Sequence, residues 1–165
     1  MKRQIRKNTF ETNSSSVHTI TISKQGYDKS KIPESIAFTF DEFGWEVKKL
    51  CSLQDKASYL YTALNDVTDR DKYIEFIKNT LKSVGCVAAF EEKKGDSYWE
   101  NGYIDHSESL GSFLGKVFEN EDSLLRYLFG TGCVYTYNDN MSYEDLPFYD
   151  EMNLDAGYDI IRKWN

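Results

Sequence analysis

An alternation of β-branched side chains at residues 17–23 is the strongest secondary-structure signal in this chain. Strict alternation over that length is typical of a β-strand, because successive side chains of a strand point to opposite faces. His18, Ile20 and Ile22 are therefore expected to share one face of this strand. Three further strands, of which the second is expected to be buried, are predicted at 36–40, 86–90 and 133–137.

Apolar side chains recur at helical spacing in two segments of the N-terminal part. In residues 53–67 and 73–84 they step by three or four residues. This spacing places them on one face of an α-helix. Ser52 or Asp55 is the predicted cap of the first helix, and Gly85 is predicted to end the second. Three more helices are predicted at 110–118, 122–129 and 156–164.

Strands and helices are mixed in this order without a regular βαβ alternation, an internal repeat or a long linker. The predicted class is α+β, with about four helices packed on a mostly antiparallel sheet. A length of 165 residues corresponds to one domain and suffices to bury a core without disulfides or a structural metal. A single domain is therefore predicted over residues 1–165.

The three cysteines indicate a reducing compartment. Cys51, Cys86 and Cys133 lie far apart, and none belongs to a C-x-x-C pair. Each has apolar neighbours, so buried and reduced thiols are predicted. The basic N-terminus is not followed by an apolar segment, and no run approaches the roughly 18 apolar residues of a membrane span. A cytoplasmic protein without membrane association is expected.

The net charge of −7 is unevenly distributed. Residues 1–95 hold 13 acids and 16 bases, whereas residues 96–165 hold 14 acids and 4 bases, a net charge of −10. Such acidity argues against direct nucleic-acid binding, which depends on excess Lys and Arg. Acids interleaved with aromatic side chains favour a partner-binding surface, although a solvated acidic surface over a buried aromatic edge is the alternative. The candidate partner surface comprises Tyr143, Glu144, Asp145, Tyr149, Asp150 and Glu151.

Small hydroxyl side chains precede the first strand. Ser14, Ser15 and Ser16 favour a tight turn that can direct several backbone amides at an anion. Ser16 and His18 then share one face of the strand, so a serine activated by a histidine is a second interpretation. A polar turn that only feeds the strand is the third. Three bases just upstream would add positive charge: Arg3, Arg6 and Lys7.

Two later polar segments complete a candidate pocket. The second histidine of the chain, His106, follows Asp105, and a turn at Asn138 and Asp139 follows the strand at 133–137. Two histidines in one pocket would provide a base or a pair of metal ligands. Zinc usually requires three or four protein ligands, so no metal and no cofactor are predicted. The candidate pocket comprises Ser14, Ser15, Ser16, His18, Asp105, His106, Asn138 and Asp139.

The same polar segments carry a family resemblance. The opening Phe10-Glu11-Thr12-Asn13-Ser14-Ser15-Ser16-x-His18 resembles a group of small uncharacterised proteins of bacteria, mainly Firmicutes, and of their phages. Tyr103-Ile104-Asp105-His106 is similar to a second segment of this group. Leu128-Phe129 and Asn138-Asp139 match a third more loosely, because Tyr137 stands where the group has Gly. The resemblance implies a phage or mobile-element gene and implies that the candidate pocket positions are shared by the group.

Two functions from different classes follow. The first is a phage-encoded accessory protein that inhibits a host defence protein in the bacterial cytoplasm, such as a nuclease, by competing with nucleic acid for a basic groove. The second is a phosphate- or nucleotide-binding protein or enzyme that uses the serine turn with His18 and His106. Walker A, G-x-G-x-x-G, H-E-x-x-H and G-x-S-x-G motifs are absent, which favours the first. Polar turns that serve folding alone are the third interpretation.

Overall fold

A computed structural model of the chain describes residues 16–44, 46–65, 67–95, 101–105, 110–152 and 157–163. Within these residues the strands are β1 Ser16–Ser23, β2 Ser35–Phe38, β3 Glu42–Phe43, β4 Lys48–Leu50, β5 Val87–Phe90, β6 Tyr103–Ile104, β7 Val134–Asn138 and β8 Tyr158–Lys163. The helices are α1 Leu53–Ala63, α2 Arg70–Ser83, α3 Gly111–Val117, α4 Glu121–Phe129 and α5 Tyr149–Met152.

The main sheet has four strands in the order β4-β7-β1-β8, and every neighbouring pair is antiparallel. Two small parallel pairs, β2 with β5 and β3 with β6, lie outside this sheet. The predicted α+β class with a mostly antiparallel sheet is therefore confirmed. The slightly basic residues 1–95 supply β1 and β4, and the acidic residues 96–165 supply β7 and β8. The two charge halves of the chain are thus interleaved in one sheet.

Both faces of β1 are covered. All eight of its residues are buried, as expected for a strand between two neighbours in a sheet that is packed on both sides. Ile20 and Ile22 belong to the main core, together with apolar side chains of α1, α2, α3 and α4. Val17 points to the opposite face and packs in a second cluster with side chains that include Phe148 and Met152. The alternation predicted for this strand therefore separates two apolar clusters.

The ends of α1 and α2 follow from local sequence. The Ser52 hydroxyl oxygen accepts a hydrogen bond from the Asp55 backbone, and the Asp55 carboxylate accepts one from the Ser52 backbone, so the two residues form a capping box. The chain leaves α2 at Gly85 with a φ of +80°, a conformation that side chains with a Cβ disfavour. Both predicted signals are confirmed.

Two secondary-structure predictions are wrong: a predicted helix is a strand, and a strand predicted to be buried is partly exposed. Residues 156–164 were expected to be helical, yet Tyr158–Lys163 form β8, which pairs with β1 and places Ile161 opposite Ile20. The edge of β1 offers backbone hydrogen bonds, and β-branched Ile160 and Ile161 suit a strand. The strand at 86–90 is present but is not buried, because β5 has β2 as its partner and Val87 is 65% exposed.

The prediction of three reduced thiols is also wrong. Cys51 and Cys133 form a disulfide, and the free cysteine is Cys86, which is buried. The pairing of Leu50 with Val134 brings the two sulphurs together across 82 residues of sequence. Spacing along the chain could not predict this contact, because it depends on which strands become neighbours in the sheet.

Candidate functional site

One end of the main sheet brings together several of the predicted pocket residues. Ser16 begins β1 and lies opposite Asn138, the last residue of β7. The Ser16 hydroxyl donates a hydrogen bond of 3.3 Å to the backbone oxygen of Asp105, which follows β6. The Asn138 side chain accepts a hydrogen bond from the backbone of Asn140, so it closes the turn that contains the exposed Asp139. Residues far apart in sequence thus meet at this end.

His18 lies two residues further along β1 than Ser16 and is fully buried. Its Nδ1 lies 2.8 Å from the Tyr59 hydroxyl, and its Nε2 lies 3.0 Å from the Gly44 backbone oxygen. Because both ring nitrogens have a protein partner, a solvent-borne ligand would have to displace one of them. The residues predicted to act with His18 lie outside the described part of the chain: Ser14, Ser15, His106, Arg3, Arg6 and Lys7.

Negative charge surrounds Tyr103 near the same end. Burial and the neighbouring carboxylates of Glu42, Glu46 and Asp105 raise the pKa of the Tyr103 hydroxyl above its ordinary value. A phosphate would be repelled by these carboxylates, whereas a cation would be attracted. The electrostatics of the described residues here therefore do not favour an anion pocket.

The acidic segment, defined here as residues 139–151, is anchored on the second face of the sheet. Leu146 and Phe148 are 4% and 5% exposed, and both pack in the second apolar cluster. The Phe148 ring lies 4.9 Å from the ring of Tyr135 on β7. Between these buried side chains the segment turns through a short 3₁₀ helix at Tyr143–Asp145 and then through α5. The segment is therefore held by its apolar residues.

The acids of this segment divide into two kinds. Glu144, Asp145 and Asp150 are exposed at the surface of the segment. Glu151 instead forms an ion pair with Lys49 of β4 and accepts a hydrogen bond from the Tyr135 hydroxyl at 3.3 Å. The Lys49 ammonium holds the pKa of the Glu151 carboxyl below its ordinary value. Glu151 therefore helps to hold α5 on the sheet, while the other three face solvent.

The excess of negative charge extends well beyond these three residues. No Lys or Arg occurs between Arg126 and Arg162, a stretch that contains seven acids. Of the residues predicted to form a partner surface, Glu144, Asp145 and Asp150 are exposed carboxylates, and Phe148 of the same segment packs in a buried aromatic layer with Tyr135 and Tyr137. Tyr149 is half-buried beside the same layer.

Sequence reasoning did not identify Lys49 or the Cys51–Cys133 pair as parts of a site. The only sequence signal for the pair was that each cysteine lies at the end of a short strand-like segment. Neither segment shows how β4 is aligned with β7, and this alignment brings the two cysteines together. A cavity of about 270 Å³ lies where Lys49, Glu151 and the disulfide meet. Among the described residues, no group of three His, Cys, Asp or Glu side chains is arranged to hold a metal ion.

No helix in the described ranges is both long and apolar enough to cross a membrane. The chain matches no protein-family model, and neither a curated protein nor a solved structure is significantly similar to it.

Proposed function

We propose that this chain is a binding protein of phage or mobile-element origin that inhibits a host defence protein in the bacterial cytoplasm. The contact would be made by the acidic segment, residues 139–151. The partner would carry a basic groove that normally holds nucleic acid, as in a nuclease. The chain itself would not bind nucleic acid, because its net charge is −7.

The observation that supports this proposal most is the way in which the acidic segment is held. Exposed Glu144 and Asp145 precede the buried Leu146 and Phe148, and exposed Asp150 follows them, so the carboxylates project from a backbone that is anchored on the sheet. Charges on a fixed surface lose little conformational freedom when a partner docks. They can therefore steer a basic partner and discriminate between partners by charge complementarity.

The size of the charge matters for competition with nucleic acid. A protein that binds nucleic acid gains much of its affinity from Lys and Arg side chains that contact phosphates. A rigid set of carboxylates can occupy the same cationic positions. No Lys or Arg lies between Arg126 and Arg162, so no cation nearby in sequence offsets the negative potential of these carboxylates.

The test is a capture experiment with a charge-reversed variant. Glu144, Asp145 and Asp150 are changed together to Lys, and wild type and variant are used to capture proteins from a lysate of the bacterial host. The expected result is one basic nucleic-acid-binding protein that wild type retains and the variant loses. Purified, this partner should lose nucleic-acid binding when wild-type protein is added in stoichiometric amount.

A matched control carries the same charge change elsewhere. Glu34, Asp71 and Glu92 are exposed acids outside the acidic segment, and their joint change to Lys shifts the net charge by the same amount. This control should capture the partner as wild type does. Equal capture by the two reversed variants would show that total charge, rather than the acidic segment, determines binding, and would refute the proposal.

A phosphate or nucleotide site at the end of the sheet where Ser16, Asp105 and Asn138 meet is the second candidate, and it would have to bind its anion against the carboxylates of Glu42, Glu46 and Asp105. Thermal unfolding in the presence of inorganic phosphate and of a panel of nucleotides tests it. A raised unfolding temperature that disappears in Ser16→Ala would support this candidate. A panel without any shift would eliminate it.

A further inference from the structure

The Cys51–Cys133 disulfide lies at a cavity that borders the acidic segment at Glu151. Cys51 directly follows β4, Cys133 directly precedes β7, and their Cα atoms lie 4.3 Å apart. The cavity beside them has a volume of about 270 Å³, and both cysteines line it. A small molecule can therefore approach the sulphur atoms from solvent without separation of the two strands.

The backbone around Cys133 is held without the disulfide. The Thr21 amide and hydroxyl donate hydrogen bonds of 2.9 and 3.1 Å to the Cys133 oxygen, and the Cys133 amide donates one of 2.8 Å to the Thr21 hydroxyl. The β4–β7 ladder continues next to the disulfide through Leu50 and Val134. Opening of the sulphur–sulphur bond therefore leaves both thiols close together in a folded sheet, where they can form the bond again.

The two cysteines differ in their exposure. Cys133 is only 6% exposed, whereas Cys51 is half-buried at the junction between β4 and α1. An incoming thiolate therefore meets the Cys51 sulphur first, and Cys133 becomes the leaving group. The Cys133 Sγ lies 3.8 Å from the Thr131 backbone oxygen, which can accept a hydrogen bond from the thiol once it is protonated.

Charged side chains line the approach to Cys51. Lys49 precedes Cys51 by two residues, and both residues line the cavity. Lys49 is paired with Glu151, which also lines the cavity. The ammonium attracts an anionic thiolate, and the carboxylate repels it. Loss of the Lys49 charge should therefore slow the attack, and loss of the Glu151 charge should accelerate it.

We propose that the Cys51–Cys133 pair is a thiol–disulfide exchange site for a small thiol reductant of the glutathione class. A thiolate attacks the Cys51 Sγ, the bond to the Cys133 Sγ breaks, and Cys133 leaves as a thiolate that takes up a proton. A second thiolate then attacks the outer sulphur of the mixed disulfide. Two reductant thiols are oxidised to one disulfide, and the protein gains two thiols.

This chemistry agrees with the cytoplasmic location proposed above. Disulfides that form in a reducing cytoplasm are usually transient and are used for catalysis or redox sensing. The exchange reaction does not require the partner, so a failure of the capture experiment would not bear on the exchange site.

The test uses the wild-type protein in its native state. The protein is incubated with reduced glutathione, quenched with N-ethylmaleimide, and mapped by peptide mass spectrometry. The expected early product is a mixed disulfide on Cys51, while the far-ultraviolet circular dichroism is unchanged. Reduction that begins only after denaturant unfolds the chain, or a first adduct on Cys133, would overturn the proposal.

Charge variants provide an independent readout of the same site. Lys49→Gln should slow the exchange and Glu151→Gln should accelerate it, each by about two- to fivefold, the size of effect expected for a partly exposed charge. Lys48→Gln is the matched control, since Lys48 lies next to Lys49 on β4 but on the opposite face. Equal rates for all three variants would show that the thiolate does not reach Cys51 through the cavity.

Discussion

The Tyr59 hydroxyl donates a hydrogen bond to the His18 Nδ1 across 2.8 Å in the interior, where neither side chain is exposed. The direction of this bond follows from the other ring nitrogen. His18 Nε2 lies 3.0 Å from the Gly44 carbonyl, which can only accept, so Nε2 carries a proton, and Nδ1 of the neutral ring is then the acceptor. The pair joins β1 to α1 and fixes one tautomer of the histidine. His18 is thereby a packed polar residue of the core.

Removal of the hydroxyl in Tyr59→Phe should lower the free energy of unfolding by about 0.5–1.5 kcal/mol, because the buried hydrogen bond between Tyr59 and the His18 ring would be lost. Urea denaturation measures this change. Tyr73→Phe is the control, since Tyr73 is only half-buried, and its expected change is within about 0.5 kcal/mol. If Tyr59→Phe were as stable as wild type, the hydrogen bond would have no role in the core.

The free energy of unfolding should first increase and then decrease as the pH is raised from 8 to 11. Burial lowers the pKa of Lys56 to about 8, although its Nζ donates to the Gly130 oxygen at 2.7 Å. Between that pKa and 10.5, the unfolded chain binds a proton that the folded chain does not, so the free energy of unfolding increases with pH. The increase is at most about 3 kcal/mol at 1.36 kcal/mol per pKa unit.

Above about pH 10 the buried tyrosines reverse this slope. Burial raises the pKa of Tyr59 and of Tyr127 above the ordinary value. Their hydroxyls then lose protons in the unfolded chain but not in the folded one, so stability decreases as pH rises. Urea denaturation from pH 7 to 11 should show the maximum. Lys56→Met should abolish the rising limb and retain the falling limb; a rising limb that persists in this variant would disprove the role of Lys56.

Gly132→Ala should destabilise the protein by about 1–3 kcal/mol or more. A Cβ at this position would lie 2.0 Å from the Thr21 backbone oxygen, so β1 and the start of β7 would have to separate. Gly115→Ala is the contrasting variant, because a Cβ there meets no atom within 4 Å and α3 gains helix propensity. It should stabilise by about 0.5–1 kcal/mol. Thermal unfolding compares the two, and effects of equal sign would contradict the close approach at Gly132.

Phe148→Ala should detach the acidic segment while the main core stays folded. Phe148 is 5% exposed and contacts the rings of Tyr135 and Tyr137, and the loss of such a side chain costs about 3–5 kcal/mol. Hydrogen exchange should accelerate in α5 and leave α1 protected. Met141→Ala, an exposed apolar residue nearby, should leave both rates unchanged. Equal acceleration throughout the chain would show that the segment unfolds only with the core.

Local patterns predicted much of the fold. The alternation at 17–23 and the capping pair Ser52 and Asp55 depend on neighbours within a few residues, so they survive in the tertiary structure. The last segment did not follow this rule, because residues 158–163 have no strong periodicity of their own and take their conformation from the edge of β1. Strand formation there is decided by pairing with β1, in which His18 lies opposite Lys163, 145 residues away in sequence, and not by local propensity.

The sequence by itself determined the charge of the chain, the acidic segment and the polar residues that gather at one end of the sheet. The tertiary structure decided which of these residues face solvent. Glu144 and Glu151 look alike in sequence, but only Glu151 meets a lysine on β4. Cys51 and Cys133 become partners, and His18 becomes a core residue, because sheet register places distant residues within bonding distance. Such pairing depends on the packing of the whole core, which short-range patterns do not encode.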